Sequence, residues 1–362
     1  MRQLILPRGA TPRAWGQIHG ETFREEIKAI ARIRAELCLE VGGFPDMAAV
    51  FDAADAHIPV LQNCDQALFD EFLGIAEGAG VAPAEIVIVN HYTDLRDLGP
   101  NTKKDAEPED DCSALTLRPG GKAFLAQTWD MHGSAKPYVF MLGVPEHEVD
   151  GRMVPGAWLL SITGCLGMAG LNARGLGVTI NNLKSTDAVV GLLWPALIRL
   201  ILRQGSAQQG ASVIQSSPIG SGHHYLMVDA DEGVAMETSG RLKETVFSGT
   251  GPVYHHTNHC LDERVAACSL VAPTSTTEMR YDYLADKLTD PPSDLKGIWA
   301  LLSSHDGFPK SICTHLGTSE RPHAMLTCAG LAMDLKNRVM WGAEGCLQEH
   351  PPEPFSFPVM RA

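Results

Sequence analysis

The chain has 362 residues, 44% hydrophobic and 20% charged, a composition of folded globular proteins rather than disordered or fibrous ones. Lys and Arg total 29 against 43 Asp and Glu, a net charge of −14, which argues against nucleic acid or an anionic membrane surface as the main partner, since both demand a basic footprint. The opening run MRQLILPRG is too short for a secretory h-region, and no window reaches the length of a membrane span. The expectation is a cytoplasmic protein whose nine cysteines, an odd and scattered set, are mostly reduced core residues.

In chain order, residues 1 to about 100 read as mainly helical. In HGETFREEIKAIARIRAELCLEVGG, Phe23, Ile27, Ile30 and Leu37 recur at helical spacing and Gly42-Gly43 supplies a stop. CDQALFDEFLGIAEGAG repeats the pattern with Leu68, Phe72 and Ile75, ending near Gly78 and Gly80. AEIVIVNHYTDL, after Pro83, fits a helix or a short strand. GPNTKKDAEPEDD, with Ala106 its one apolar residue, reads as an exposed loop.

From Cys112 the pattern changes to short apolar or alternating runs divided by Gly and Pro: SALTLRP, KAFLAQTWD, YVFMLGV, AWLLSITG and LGVTINNL. Helices are expected at LLWPALIRLILRQ and SAQQGASVIQSS. Strands follow at HHYLMVDA, GVAMETSG, KETVFSG and VYHHTNH, then helices at RYDYLADKL and LKGIWALLSS, then a hairpin in AMLTCAGLAMDLKNRVMWGAEG. Helices first, then two groups of strands around a helical block, indicate a layered α+β fold with stacked sheets.

Cys112 sits where an acidic loop becomes a strand. It can be a small buried hydrophobe. If the Asp111–Cys112 bond were cut, it would also carry an α-amine, pKa about 8, beside a thiol of about 8.5, and so hold its own base and nucleophile. Asp130 is either a strand-end aspartate or a carboxylate that holds the new amine, because a hairpin through Pro119-Gly120-Gly121 brings it back to Cys112. Asn181 and Asn182 end a strand, as turn residues or as oxyanion donors. In YHHTNHC, His256 and His259 have a metal-like i, i+3 spacing, and Asn258 between them is a candidate amide donor; HExxH is absent. GCLGMAGLNARGLGVTINNL matches neither phosphate-loop pattern, and no G-x-S-x-G elbow is present.

Taken together, these segments resemble the acyl-coenzyme A:6-aminopenicillanic acid acyltransferase family of N-terminal nucleophile hydrolases. The resemblance lies in GQIHGETFREEI, in DDCSALTL followed by QTWD, in GLNARGLGVTINNL, and then in TNH, TSTTEMRYDYL and SSHDGFPKSICTH in the same order. It implies a four-layered αββα sandwich and a precursor that cuts itself. Residues 1–111 would form a helical pro-segment or small subunit, and 112–362 the catalytic domain. It further implies Cys112 as nucleophile, Asp130 as the nearby carboxylate, Asn258 and Asn182 as oxyanion-site asparagines, and Arg280 as the arginine that often pairs with the aspartate. The expected function is hydrolysis or acyl transfer at the amide or thioester bond of a small acyl-amine substrate, with no cofactor and no nucleic-acid or membrane partner. The cut fragments would stay associated, and a homo-oligomer is open. Asp111 stands where that family usually has glycine, which keeps an uncleaved binding protein as one alternative, and the His256 and His259 segment keeps a metal-dependent hydrolase as another.

Overall fold

A computed structural model describes residues 1–100 and 112–357. The chain opens with β1 (Gln3–Ile5), α1 (Pro12–Thr22), α2 (Arg24–Gly42), α3 (Met47–Asp55), α4 (Ile58–Cys64), α5 (Gln66–Ala79) and α6 (Pro83–Leu98). After Cys112 come β2 (Ser113–Leu117), β3 (Phe124–His132), β4 (Val139–Val144), β5 (His147–Val149), β6 (Arg152–Val154), β7 (Ala157–Ile162), β8 (Ala169–Asn172) and β9 (Gly177–Asn182). Next are α7 (Trp194–Ile201), α8 (Ala207–Ser216), β10 (His223–Val228), β11 (Gly233–Thr238), β12 (Lys243–Gly249), β13 (Val253–His256) and α9 (Glu263–Ala266). The chain closes with α10 (Thr277–Lys287), α11 (Leu295–Leu302), β14 (Met325–Asp334), β15 (Val339–Glu344) and β16 (Glu353–Ser356).

The strands form two stacked sheets, one ordered β1-β4-β7-β8-β9-β10-β11-β12 and the other β13-β2-β3-β14-β15-β16, plus the β5–β6 hairpin. Helices cover both outer faces: α7, α8 and the N-terminal helices on the larger sheet, α10 and α11 on the smaller. This is the αββα sandwich. Period-two alternation explains it. Leu125, Trp129, Leu331 and Met333 point into the core between the sheets, whereas Phe124, Ala126 and Ala332 join Leu284, Ile298 and Leu302 beneath α10 and α11. Both faces of β2 and β3 are therefore covered, and every residue of these strands is buried.

The N-terminal region is helical as expected, with three differences. β1 pairs in parallel with β4, so the first residues extend the larger sheet. The helix expected from His19 onward is broken at Phe23 (φ −119°, ψ 27°), leaving His19–Thr22 to end α1. AEIVIVNHYTDL is helical, with a kink at His91 (φ −128°, ψ 22°). Pro83 fits the first turn, Glu85 accepts a hydrogen bond from the Ala82 N–H at 2.8 Å, and burial of Ile86, Val87, Ile88 and Val89 outweighs their β preference. Gly43 (φ 71°) and Gly80 (φ 69°) end α2 and α5 in the left-handed conformation. The 99–111 loop lies outside the described residues apart from Gly99 and Pro100.

The glycines of GQIHG are packing residues. Gly16 and Gly20 of α1 meet Gly74 and Gly78 of α5 backbone to backbone. A Cβ on Gly16 would lie 2.0 Å from the Glu71 carbonyl oxygen, and one on Gly74 2.2 Å from that of Arg13. Main chain cannot step aside as a side chain can, so Gly16→Ala is expected to cost about 3 kcal/mol or more. The midpoint of denaturant unfolding measures this; an unchanged midpoint would refute the close crossing.

Candidate active site

The β2–β3 hairpin sets the site. Gly120 (φ 55°) and Gly121 (φ 76°) take the left-handed backbone its tight turn requires. The register pairs Ser113 with Thr128. Cys112 is therefore delivered to the end of β3, with its Sγ 3.7 Å from the Asp130 main-chain oxygen. Cys112 is 4% exposed and belongs to the inter-sheet core with Trp129 and Met131. The Asp130 carboxylate lies on the Thr128 side of the strand, where Oδ2 accepts from the Thr128 hydroxyl at 3.2 Å. That hydroxyl in turn accepts from the Ser113 N–H at 3.1 Å.

The carbonyl of Cys112 is held from two directions. Asn181 Nδ2, from β9 in the facing sheet, donates to it at 3.0 Å, and Arg280 Nη1, from α10, donates at 2.9 Å. Arg280 also donates to Ser113 Oγ (3.0 Å), Asn258 Oδ1 (3.2 Å) and Thr276 Oγ1 (2.9 Å), and is itself buried. Asn258 donates through Nδ2 to the Asn182 carbonyl at 3.0 Å and through its N–H to Thr277 Oγ1 at 2.7 Å. Cys112, Arg280, Asn258 and Asn182 thus form one hydrogen-bonded network, and Asp130 adjoins it through Cys112. Asp111 lies outside the described residues.

The side chain that donates to the Cys112 carbonyl from β9 is that of Asn181, and the Asn182 carbonyl accepts from Asn258. Adjacent strand residues face opposite ways, so one position of sequence separates these two roles. Asn181 is oriented in turn: its Oδ1 lies 2.9 Å from His224 Nδ1, and His224 Nε2 lies 3.1 Å from the Tyr254 hydroxyl. The consistent pattern is an Nδ1–H tautomer, with Nε2 accepting from Tyr254. Burial, then the neighbouring His256, pushes the His224 pKa well below its ordinary value, so the ring is neutral. The pairing of β9 with β10 places His224 beside Asn181.

The metal reading of His256 and His259 finds no ligand set among the described residues. His256 stacks on His224 at 3.6 Å between centroids, and both its nitrogens are engaged, Nδ1 2.6 Å from the Thr257 carbonyl and Nε2 2.8 Å from Glu237 Oε1. His259 Nδ1 lies between the hydroxyls of Thr257 and Thr277, at 3.2 and 3.0 Å. Arg280 also lines a cavity of about 210 Å³ with Met279, Tyr283, Asp306, Lys310 and Ile312.

A buried cysteine thus precedes an inner strand of an αββα sandwich, its carbonyl held by an asparagine and an arginine. The family model described as Acyl-coenzyme A:6-aminopenicillanic acid acyl-transferase matches residues 116–345, more than half of the sequence, and the chain belongs to that family. The acyl-coenzyme A:6-aminopenicillanic-acid-acyltransferase 40 kDa form of Emericella nidulans is 24% identical over 248 residues, 68% of this chain and 66% of that protein. The match thus spans just under two thirds of that relative. Two solved structures are also similar. A point mutant of the conjugated bile acid hydrolase from Clostridium perfringens has 12% identity and TM-score 0.46, over 68% of this chain and 93% of that one. Penicillin V acylase from Agrobacterium tumefaciens has 14% identity and TM-score 0.38, over 64% and 82%.

Proposed function

We propose that the protein is a cysteine amidohydrolase or acyltransferase that cuts its own chain before Cys112 and then acts on the amide or thioester bond of a small acyl-amine substrate. The observation that carries this reading is the setting of Cys112 in a chain of this family: at the start of an inner strand, thiol beside Asp130, carbonyl fixed by Asn181 and Arg280.

In maturation the Cys112 sulfur attacks the carbonyl of Asp111. The acyl group passes to sulfur as the peptide C–N bond breaks and nitrogen takes the thiol proton, which frees the α-amine of Cys112; water then hydrolyses the thioester, which leaves the Asp111 carboxylate and the free thiol. In turnover this amine takes the thiol proton as sulfur attacks the substrate carbonyl, then passes the proton to the departing amine. The enzyme-bound thioester goes to water or to a second amine. Asp130 holds the α-amine. Asn258 serves the oxyanion: its amide carries two hydrogens, and the Asn182 carbonyl uses one. Arg280 and Asn181 fix the Cys112 backbone so that the sulfur meets its target in one geometry. The pairing of β1 with β4 and the core shared by the N-terminal helices and the larger sheet would keep the two fragments together.

Denaturing mass spectrometry of freshly purified protein tests the reading. Two fragments are expected, the second beginning at Cys112. A single intact chain that shows no turnover on a panel of acyl-amides and thioesters would overturn it.

A further inference from the structure

A cluster of ligand atoms stands apart from the network around Cys112. The segment between α11 and β14 carries His305, Cys313 and His315, and Cys346 follows β15 just past Gly345 (φ 73°). His305 Nε2 lies 3.1 Å from His315 Nε2 and 3.4 Å from Cys346 Sγ, and His315 Nε2 lies 3.6 Å from Cys313 Sγ. All four atoms are within 4.8 Å of one another. Hydrogen bonding accounts poorly for this convergence. Each Nε2 offers one hydrogen or one lone pair, yet each faces two partners. A tetrahedral zinc with Zn–N near 2.0–2.1 Å and Zn–S near 2.3 Å has N···N edges of about 3.3 Å and N···S edges of about 3.5 Å, and three of the six edges here, one N···N and two N···S, match these to within about 0.2 Å.

The segments bearing these ligands are pinned by other bonds. The Cys313 N–H donates to the Ser304 carbonyl at 3.1 Å, the Thr314 N–H to Thr327 Oγ1 at 2.8 Å, and the Gly345 N–H to the Cys328 carbonyl at 2.7 Å. Thr327 is paired with Asp130 across β14 and β3. The stretch between His305 and Cys313 also supplies Asp306, Gly307, Lys310, Ser311 and Ile312 to the cavity beside Arg280.

We propose that His305, Cys313, His315 and Cys346 form a closed tetrahedral site for a structural divalent cation of the zinc class, tying the segment ahead of β14 to the turn after β15. With four protein ligands no position remains for water or substrate, so the ion braces one wall of the cavity and takes no part in chemistry. Both sulfurs bind as thiolates, their protons passing to solvent, and two thiolates balance the charge of the ion in a site where Cys313 and Cys346 are buried.

The test uses the full chain, produced with zinc in the medium and dialysed against a weak chelator. One zinc per chain is expected by elemental mass spectrometry, and loss of that zinc in the Cys313→Ser/Cys346→Ser variant. Because that variant can fail to fold, stripped native protein is also titrated with Co(II). Thiolate-to-cobalt charge-transfer bands and tetrahedral d–d bands saturating at one equivalent are expected. Native protein that takes up neither metal, a disulfide between Cys313 and Cys346, or a folded variant that keeps its zinc would each overturn the proposal.

Discussion

Cys112→Ala is expected to leave one uncut chain and to lower turnover by about 10⁴-fold or more, the scale seen when a covalent nucleophile is removed. The substitution separates chemistry from structure because it leaves the backbone of Cys112 in place. The bonds that fix this residue, from Asn181 and Arg280, go to its carbonyl and survive the change. Removing the sulfur forfeits a 3.7 Å approach to a main-chain oxygen, together with a small buried volume, which is worth about 1 kcal/mol. A folded, inactive, uncut variant is the expected outcome. Cys112→Ser keeps an attacking atom in the same place but replaces a thiol by a much weaker nucleophile, so slow cleavage and strongly reduced turnover are expected. Mass spectrometry reads cleavage, and release of amine from an acyl-amide reads turnover. Native-level activity in the alanine variant would remove Cys112 from the mechanism.

The layers are legible in the sequence because their signals are local. Alternation in SALTLRP and KAFLAQTWD marks β2 and β3, and the glycines after α2 and α5 mark their ends. Where the local pattern misleads or is silent, a longer-range effect decides the structure. The His19–Thr22 turn belongs to α1 because α1 must cross α5 at the glycine pairs. β8 (Ala169–Asn172) hides in a glycine-rich stretch and is held as a strand by β7 and β9 on either side. Cys112, Asp130 and Asn258 stand out in short segments and Arg280 enters only through the family resemblance, but the bond from Asn181 to Cys112 runs between sheets, and only the strand registers reveal it. The four-atom cluster is hidden for the same reason. His315 and Cys346 are separated by the whole of β14 and β15, with no C-x-x-C or H-x-x-x-H spacing to announce them.

Acidification is expected to unfold the protein within a narrow range below neutrality. Burial, the largest cause in every case, pushes the pKa of His19 and His91 down to about 3, that of His132 and His224 well below the ordinary value, and lowers that of His57. Arg199 facing His19, Arg34 facing His132 and His256 facing His224 act in the same direction. Asp94 opposes this at His91 and His57, and the Gly191 carbonyl also does so at His57, without reversing either shift. These rings are neutral in the fold, whereas the unfolded chain protonates them near pH 6.5. The unfolded state therefore binds more protons between about pH 6.5 and about pH 3, and stability falls as pH falls through that window. Each such histidine costs about 1.4 kcal/mol per pH unit, so four of them remove about 5 kcal/mol per unit, comparable to the whole stability of many domains. Asp94, held down to about 2 chiefly by His91 and His223 against the opposing effect of burial, contributes stability that is present above pH 3.8 and lost only as pH falls toward 2, too low to shift the transition. Equilibrium denaturant unfolding at successive pH values should show this slope as pH falls below about 6.5. His19→Gln removes one titrating ring and can keep an acceptor for the Gly164 N–H, which now donates to His19 Nε2 at 2.9 Å. The slope in that variant should be smaller by about 1.4 kcal/mol per unit. A stability that is flat from pH 7 to pH 5 would mean that these rings gain solvent or partners before the chain unfolds.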